Sequence, residues 1–359
     1  MWTTLGEVIS IKSGNAIKVR NNKNGSFPIY GGNGISGYSD EYNIDKPTIV
    51  IGRVGFYCGS IHYVKSKVWI TDNAFITSIY GNVYDIDFLY YLLTYCNLRQ
   101  YSNSTAQPVI SGKTIYPVHV PVPPIKEQRK IVEKIEFWLS CISQLEFSQS
   151  KVKSTIKQVK SKILDLAIHG KLVQQDPNDE PASELLKRIN PKAEITCDNP
   201  QYGKLPKGWC LCKISSVVDI VNGKSQKNVE SPTGKYPIYG SGGIIGKAME
   251  YTCLAGSTII GRKGTINHPI FVEENFWNVD TAFGMKANNQ ILEDKYFYCF
   301  CLYFDFSKLD KSSALPSLTK TAIGNLILPI PPLAEQQRIV AKIEELFSQL
   351  DKIESSLQA

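Results

Sequence analysis

Residues 131–166, IVEKIEFWLSCISQLEFSQSKVKSTIKQVKSKILDL, decide how the rest of the chain is read. Ile131, Ile135, Trp138, Ile142, Leu145, Val152, Ile156, Val159, Ile163 and Leu166 fall at alternating steps of four and three. Gln149 stands where one more apolar residue is due. An alternation sustained over so many turns is the narrow seam of a coiled coil, and such a seam needs a partner helix. Ile339, Ile343, Leu346, Leu350, Ile353 and Leu357 repeat the pattern near the C-terminal end. The spacing predicts one long helix from about Pro124 to His169, and a second that packs on it in antiparallel fashion.

Outward from this seam the chain contains itself twice, with a period of about 208 residues. Phe27-Pro28-Ile29-Tyr30-Gly31 returns as Tyr236-Pro237-Ile238-Tyr239-Gly240, and Ile51-Gly52-Arg53-Val54-Gly55 as Ile260-Gly261-Arg262-Lys263-Gly264. Trp69 to Phe75 returns as Trp277 to Phe283, and Trp2 and Trp209 each stand at the opening of a unit. Pro121-Val122-Pro123-Pro124 followed by Glu127-Gln128-Arg129 returns as Pro329-Ile330-Pro331-Pro332 followed by Glu335-Gln336-Gln337. The prolines stop a strand and pre-set φ for a helix start.

The organisation expected is a first β-rich domain over 1–122, a long helix over 123–170, and a connector with a short helix over 171–208. A second domain over 209–330 and a shorter helix over 331–359 complete it. Short β-branched and aromatic runs, such as Thr48-Ile49-Val50-Ile51 and Thr258-Ile259-Ile260, are punctuated by Gly, Asn and Pro. Phe88–Leu98 and Lys295–Phe304 carry aromatics at helical spacing, and Pro181–Ile189 reads as a short helix. The fold class is α+β: two similar domains joined by two long helices about a pseudo-twofold.

Composition bounds the function. Of 359 residues, 43% are hydrophobic and 20% charged, as in a globular chain with sizeable cores. Met1 is followed by no basic and apolar leader, and no apolar run reaches membrane-span length, which points to the cytosol and away from a membrane. Nine scattered cysteines form no Cys-x-x-Cys pair. Cys210/Cys212 and Cys299/Cys301, two apart, would share a strand face, and buried free thiols are expected rather than a zinc site. The formal charge of +7 sits on the two domains and the long helix, while residues 170–208 carry 6 basic and 6 acidic groups. That balance suits a polyanionic partner.

Two unlike heads on a helical ruler roughly 65 Å long suit two unlike half-sites on duplex DNA. What both copies keep is scaffold or phosphate contact, and what differs is where bases are read. Arg53 and Arg262 belong to the kept set. Lys18, Arg20, Asn21 and Lys23 in the first copy face Lys224, Gln226, Lys227 and Asn228 in the second, all side chains that pair with base edges or phosphates. Tyr101–Gln107 against Ser307–Leu315 also diverges. Lys263, beside Arg262, and Lys113 and Lys320, near matching positions, complete the DNA-binding candidates.

Other signals are weaker. Gly32-Asn33-Gly34-Ile35-Ser36-Gly37 spells a dinucleotide-binding pattern, but no helix start follows it, and a β-turn is expected. Asp72 and Asp280 read as turn residues, and His169 as a cap on the helix C-terminus. No catalytic set and no methyltransferase motif is found, so no cofactor is expected in this chain.

The segments Pro123–Val132 and Pro331–Val340, together with KILDLAIHGKL (162–172) and DPNDEPASELLKRI (176–189), resemble the specificity (S) subunits of Type I restriction-modification systems. Leu205-Pro206-Lys207-Gly208-Trp209 is similar to their lead-in to a target recognition domain. The resemblance implies a non-catalytic subunit reading a bipartite double-stranded DNA target. It implies partners too: methyltransferase subunits that carry S-adenosylmethionine, and restriction or translocase subunits. A catalytic restriction-modification polypeptide and a protein-binding scaffold are the alternatives. Against the family pattern the second helix is short. The repeat offset sets Gln149 against Leu357, so the second helix would cover Val152 to Leu166, leaving Ile131, Ile135, Trp138, Ile142 and Leu145 for a methyltransferase subunit or a second copy.

Overall fold

The computed structural model describes residues 1–17, 25–103, 108–196, 199–310 and 317–357. The chain divides into two compact units, Met1–Glu146 and Phe147–Ala359. The first contains β1 (Trp2–Thr4), α1 (Leu5–Val8), β2 (Ile9–Ser13), β3 (Phe27–Gly31), β4 (Gly34–Ser39), β5 (Thr48–Gly52), β6 (Ile61–Val64), β7 (Trp69–Ile70) and β8 (Ala74–Ile79). It continues with α2 (Ile86–Tyr95), α3 (Gly112–Ile115), β9 (His119–Pro121) and the opening turns of α4 (Ile125–Ile168).

The second unit holds the rest of α4, then α5 (Ala182–Ile189), β10 (Cys210–Lys213), β11 (Val218–Asn222), β12 (Tyr236–Gly240), β13 (Gly243–Ala248), β14 (Ser257–Gly261), β15 (Ile270–Val272), β16 (Trp277–Asn278) and β17 (Ala282–Ala287). It ends in α6 (Asp294–Tyr303), α7 (Lys320–Gly324), β18 (Ile327–Ile330) and α8 (Leu333–Ser356). The fold is α+β, with one domain plan built twice.

Among the described residues each domain has three sheets, and their orders match strand for strand. The pair β1-β9 corresponds to β10-β18, the sheet β2-β8-β5-β6 to β11-β17-β14-β15, and the sheet β4-β3-β7 to β13-β12-β16. Even the irregularities match: the register shifts between Ile29 and Tyr30, and again between Ile238 and Tyr239. Strand register corrects one detail of the repeat. Trp2 lies opposite Pro121, and Leu211 opposite Pro329, so Trp2 corresponds to Leu211 and not to Trp209.

The β-branched runs take the strands buried on both faces. All five residues of β5 and of β14 are buried. Because side chains alternate along a strand, Ile49 and Ile51 join the core that packs Leu89 and Leu93 of α2, while Val50 joins a second cluster with Val64, Val68 and Ile70. Ile260 and Ile259 divide in the same way between the two cores of the other domain.

The Pro-Pro…Glu-Gln motif has a structural reason in both copies. Gln128 is fully buried; its side-chain amide donates to the carbonyls of Val83 and Pro123 (2.8 Å each) and accepts from the Asp85 backbone N–H (2.8 Å). Gln336 does the same with Ile291 (2.9 Å), Pro331 (3.0 Å) and the Glu293 N–H (2.7 Å). Asp85 and Glu293 are the N-caps of α2 and α6. One buried amide thus ties the start of each long helix to the start of the domain helix beside it.

In the second unit α8 packs antiparallel to the later turns of α4. Gln149 meets Leu357, Lys160 pairs with Asp351 (2.5 Å) and lies 5.5 Å from the Phe347 ring, and Ile163 shares a core with Ile339 and Ile343. The seam is not uniform. Val159 is 39% exposed, while Leu164, Ala167 and Ile168 are buried beside Ile163. Past Val159 the helix docks on a globular core that includes Leu185, Leu186 and Trp209. There it needs a broad apolar stripe rather than a two-residue seam.

Cys210, Cys212, Cys299 and Cys301 are buried, as expected. Cys299 and Cys301 lie on α6, however, and not on a strand. Burial pushes the Cys212 and Cys299 thiols up to about 12. Among the described residues no group of three or more His, Cys, Asp or Glu could hold a metal, and no helix is long and apolar enough to cross a membrane.

Candidate nucleic-acid interface

Four connections meet at one end of the first domain: Gly14–Ile17 after β2, the β3–β4 turn, the β5–β6 loop and the β7–β8 turn. Backbone bonds join them. Gly14 N donates to Ala74 O (3.1 Å), Arg53 N to Asn73 O (2.9 Å), Gly55 N to Pro108 O (2.9 Å) and Ile110 N to Arg53 O (3.0 Å). Two glycines make the approach feasible. A Cβ on Gly32 would sit 2.6 Å from Val54 O, and one on Gly52 would sit 2.3 Å from Gly32 O. Together they line an open cleft of ≈800 Å³ whose walls include Asn33, Ser36, Phe56, Tyr57, Asp72 and Asn73.

The Gly32–Gly37 pattern is therefore a turn running into β4, as expected, with Gly34 at φ +83°. Behind it the His62 imidazole lies 3.2 Å from where a Gly34 Cβ would stand, and burial holds its pKa below the ordinary value.

The second domain repeats the frame with other side chains. Lys224 N donates to Asn278 O (2.8 Å), Arg262 N and Lys263 N both reach Thr281 O (2.7 and 3.3 Å), and Leu318 N donates to Arg262 O (2.9 Å). A Cβ on Gly261 would meet Thr265 O at 1.9 Å, so the position equivalent to Gly52 is also closed to a side chain, here by its own loop. The indole of Trp69 donates to Asn15 O (3.0 Å), and that of Trp277 to Lys224 O (3.1 Å). The matching Trp residues thus pin the matching loops.

This frame gathers several candidates and leaves others apart. Lys224, Arg262 and Lys263 flank the one turn at 278–281, and Lys320 opens α7 two residues beyond Leu318. Lys227 and Asn228 are exposed in the turn that follows Lys224. Gln226 is only partly exposed, and its carbonyl accepts from Val229 N and Glu230 N. Lys113 is the second residue of α3 and Lys320 the first of α7, one step out of correspondence. Lys18, Arg20, Asn21 and Lys23 lie outside the described residues, as do 104–107 and 311–316 of the second divergent pair.

Arg53 is engaged within its own domain. Its guanidinium donates to Ser13 Oγ and Asp72 O (3.2 Å each) and lies 5.6 Å from the Phe75 ring centre. Arg262 repeats the ring contact on Phe283 at 5.9 Å. Asp72 and Asp280 are exposed turn residues, and His169 Nδ1 donates to Asp165 O at the end of α4 (2.7 Å). The reading from sequence missed Phe56, Tyr57 and Arg99. The signal was present: between the kept Gly52/Gly261 and Ile61/Ile270, Val54-Gly55-Phe56-Tyr57 faces Lys263-Gly264-Thr265-Ile266.

On α4 the candidate partner residues divide. Ile131 packs on the first domain's core and Ile135 is half-buried, while Trp138, Ile142 and Leu145 are exposed. Phe137, Leu139 and Phe147 are exposed too, which makes the apolar band wider than the seam. Phe137 and Trp138 meet edge to face at 5.4 Å, with the Lys134 ammonium 5.4 Å from each ring.

The family model of the Type I restriction modification DNA specificity domain matches residues 2–146 and again 206–359. The chain belongs to that family. Among curated relatives it is 29% identical over 171 residues to the EcoprrI specificity subunit of Escherichia coli, covering 45% of this chain and 41% of that one. It is 21% identical over 383 residues to the EcoDI specificity subunit of Escherichia coli, covering 99% and 83%. The chain thus spans less than half the length of the first of these relatives. A chain from a structure of the type I R-M system, solved to describe its complex assembly and conformational transition, shares the fold at a TM-score of 0.71 and 16% identity, covering 100% of this chain and 92% of that one.

Proposed function

We propose that this member of the specificity-domain family is the DNA-reading subunit of a Type I restriction-modification system. It reads a bipartite duplex target with one domain per half-site. One observation carries the reading: a braced frame of loops occurs twice, with matching scaffold contacts at Arg53 and Arg262, at Val54–Val109 and Lys263–Ser317, and at Trp69 and Trp277, and with different side chains at its tips. A duplicated frame with unlike tips is suited to two unlike half-sites, since shared contacts position and differing ones specify.

In this reading Lys113, Lys320, Lys224, Lys227 and Lys263 hold phosphates, and Gln226 and Asn228 with the loop tips face bases. Catalysis, and the S-adenosylmethionine that supplies the methyl group, belong to modification subunits docked on the exposed band of α4 around Trp138. Restriction subunits join through those. The test is methylation sequencing of cells carrying the complete system. A target of two short specified blocks separated by an unspecified spacer is expected; a continuous target sinks the two-head reading.

A further inference from the structure

The loop between β5 and β6 ends in two large aromatic side chains that the domain leaves uncovered. Phe56 is 65% exposed and Tyr57 51%. Their rings meet edge to face, with centres 5.1 Å apart and planes at 84°. The Arg99 guanidinium stands 4.3 Å from the Phe56 ring centre.

This tip is held firmly. Cys58 N donates to Gly55 O (2.9 Å), Ser60 N to Tyr57 O (3.1 Å), Gly59 N to Gly52 O (2.7 Å) and Gly52 N to Ser60 O (2.8 Å). Cys58 is buried beneath it, and a Cβ on Gly59 would stand 2.4 Å from Arg99 N, so the loop lies directly on the 3-10 turn Leu98–Tyr101. Rigid aromatics at the mouth of a polar, glycine-walled cleft bind at little cost in conformational entropy.

The second domain provides an internal comparison. The frame persists there, down to the bridge Lys263–Ser317 that answers Val54–Val109. At the tip, however, Thr265 replaces Phe56, and Ile266, which replaces Tyr57, is buried. The aromatic pair is thus absent from one copy of an otherwise shared frame, where a cation, Lys263, is exposed instead. An uncovered pair present in one reader and missing from the other is specific to one half-site and not part of the common scaffold.

We infer that Phe56 and Tyr57 form an apolar contact with a base of the first domain's half-site and help to set its sequence, with Arg99 steadying the Phe56 ring. Base edges offer such a surface as the thymine methyl in the major groove or as an unstacked step in the minor groove. The inference rests on the proposed DNA-reading function and adds the residues that distinguish one half-site.

The experiment uses the full chain assembled with its modification subunits. The target of the wild-type complex is mapped first: failure to find a bipartite target sinks the general reading and this inference with it, whereas the variants below test the inference alone. Binding is then measured for wild type, Phe56→Ala, Tyr57→Ala and, as a control, Tyr95→Ala, on duplexes substituted one base pair at a time. The expected result for Phe56→Ala is a loss of about 10-fold or more on the mapped target, with discrimination relaxed at one or two adjacent pairs of one half-site only. The Tyr95 variant should match wild type. A thymine-to-uracil substitution that reproduces the loss places the contact on the methyl; a loss confined to a pyrimidine–purine step places it in the minor groove. Equal losses on every duplex, an effect in both half-sites, or weaker subunit assembly with unchanged base discrimination would each overturn the inference.

Discussion

The side-chain amide of Gln149 donates to the main-chain carbonyl of Leu357 at 3.2 Å, and the two residues are 208 positions apart, the period of the internal repeat. The polar position in the seam therefore meets its own image in the second copy. A side-chain amide suits that place, because it reaches a carbonyl at the end of α8 that lacks a helical N–H partner.

Because Gln149 is exposed, its bond is expected to matter little. Gln149→Ala should change the unfolding free energy by less than about 0.5 kcal/mol. Ile156, 5% exposed in the same seam, should cost about 2–4 kcal/mol when replaced by Ala, from lost burial and the cavity left. Urea unfolding of the two variants separates them, and equal costs would mean that burial does not set the strength of this seam.

Removing the buried amides should be severe. Gln128→Ala and Gln336→Ala each remove the partner of two carbonyls and one N–H, part-buried around Gln128 and more deeply buried around Gln336, at about 1–3 kcal/mol for a buried group left unpaired. Hydrogen exchange should show the loss localised, near Asp85 for the first variant and near Glu293 for the second. Uniform loosening of both domains by either one would contradict the local role.

Stability should also depend on pH through Glu335. It is buried beside Trp209, whose indole donates to it at 3.1 Å, and Gln175, whose amide does so at 2.6 Å. Desolvation nevertheless raises its pKa above the ordinary 4.5. A carboxyl raised in the folded state holds its proton more tightly there, so its ionisation costs stability as pH climbs from 4.5 through the raised value. Glu335→Gln removes that slope. Relative to wild type the variant should gain stability between acid and neutral pH, read by thermal melts across that range; a gain in the opposite direction would show that the two donors outweigh burial.

Trp138→Asp and Ile142→Asp alter exposed positions, so the isolated chain should melt within about 1 °C of wild type, as surface changes usually do. Capture of the modification subunit should weaken at least 10-fold, as for central aromatic anchors. If the subunit still binds while sedimentation shows a loss of self-association, the band joins two copies of this chain instead.

Lys263→Ala should weaken binding by a similar factor on all duplexes and lower the slope of log K against log salt by about 1, as one phosphate contact fewer. A sequence-dependent loss would make Lys263 a base reader.

The sequence by itself determined the duplication, the α+β class, the long helix and the short helix at 181–189, because each rests on a period or a punctuation that local physics imposes. The β-branched run at Thr48–Ile51 and the Pro-Pro start at 123–124 are legible one residue at a time. Tertiary structure alone decided what a period does not encode. It showed that Trp2 answers Leu211, a matter of strand register, and that Cys299 and Cys301 lie on a helix, where a spacing of two carries no facial meaning. It placed Glu127 in solvent and its repeat image Glu335 in the core, because Gln175 of the connector and Trp209 just after it reach one copy. It also brought Phe56, Tyr57 and Arg99 together, from segments about forty residues apart, beside a cleft where Gly14, Gly32 and Gly52 let the loops approach closely.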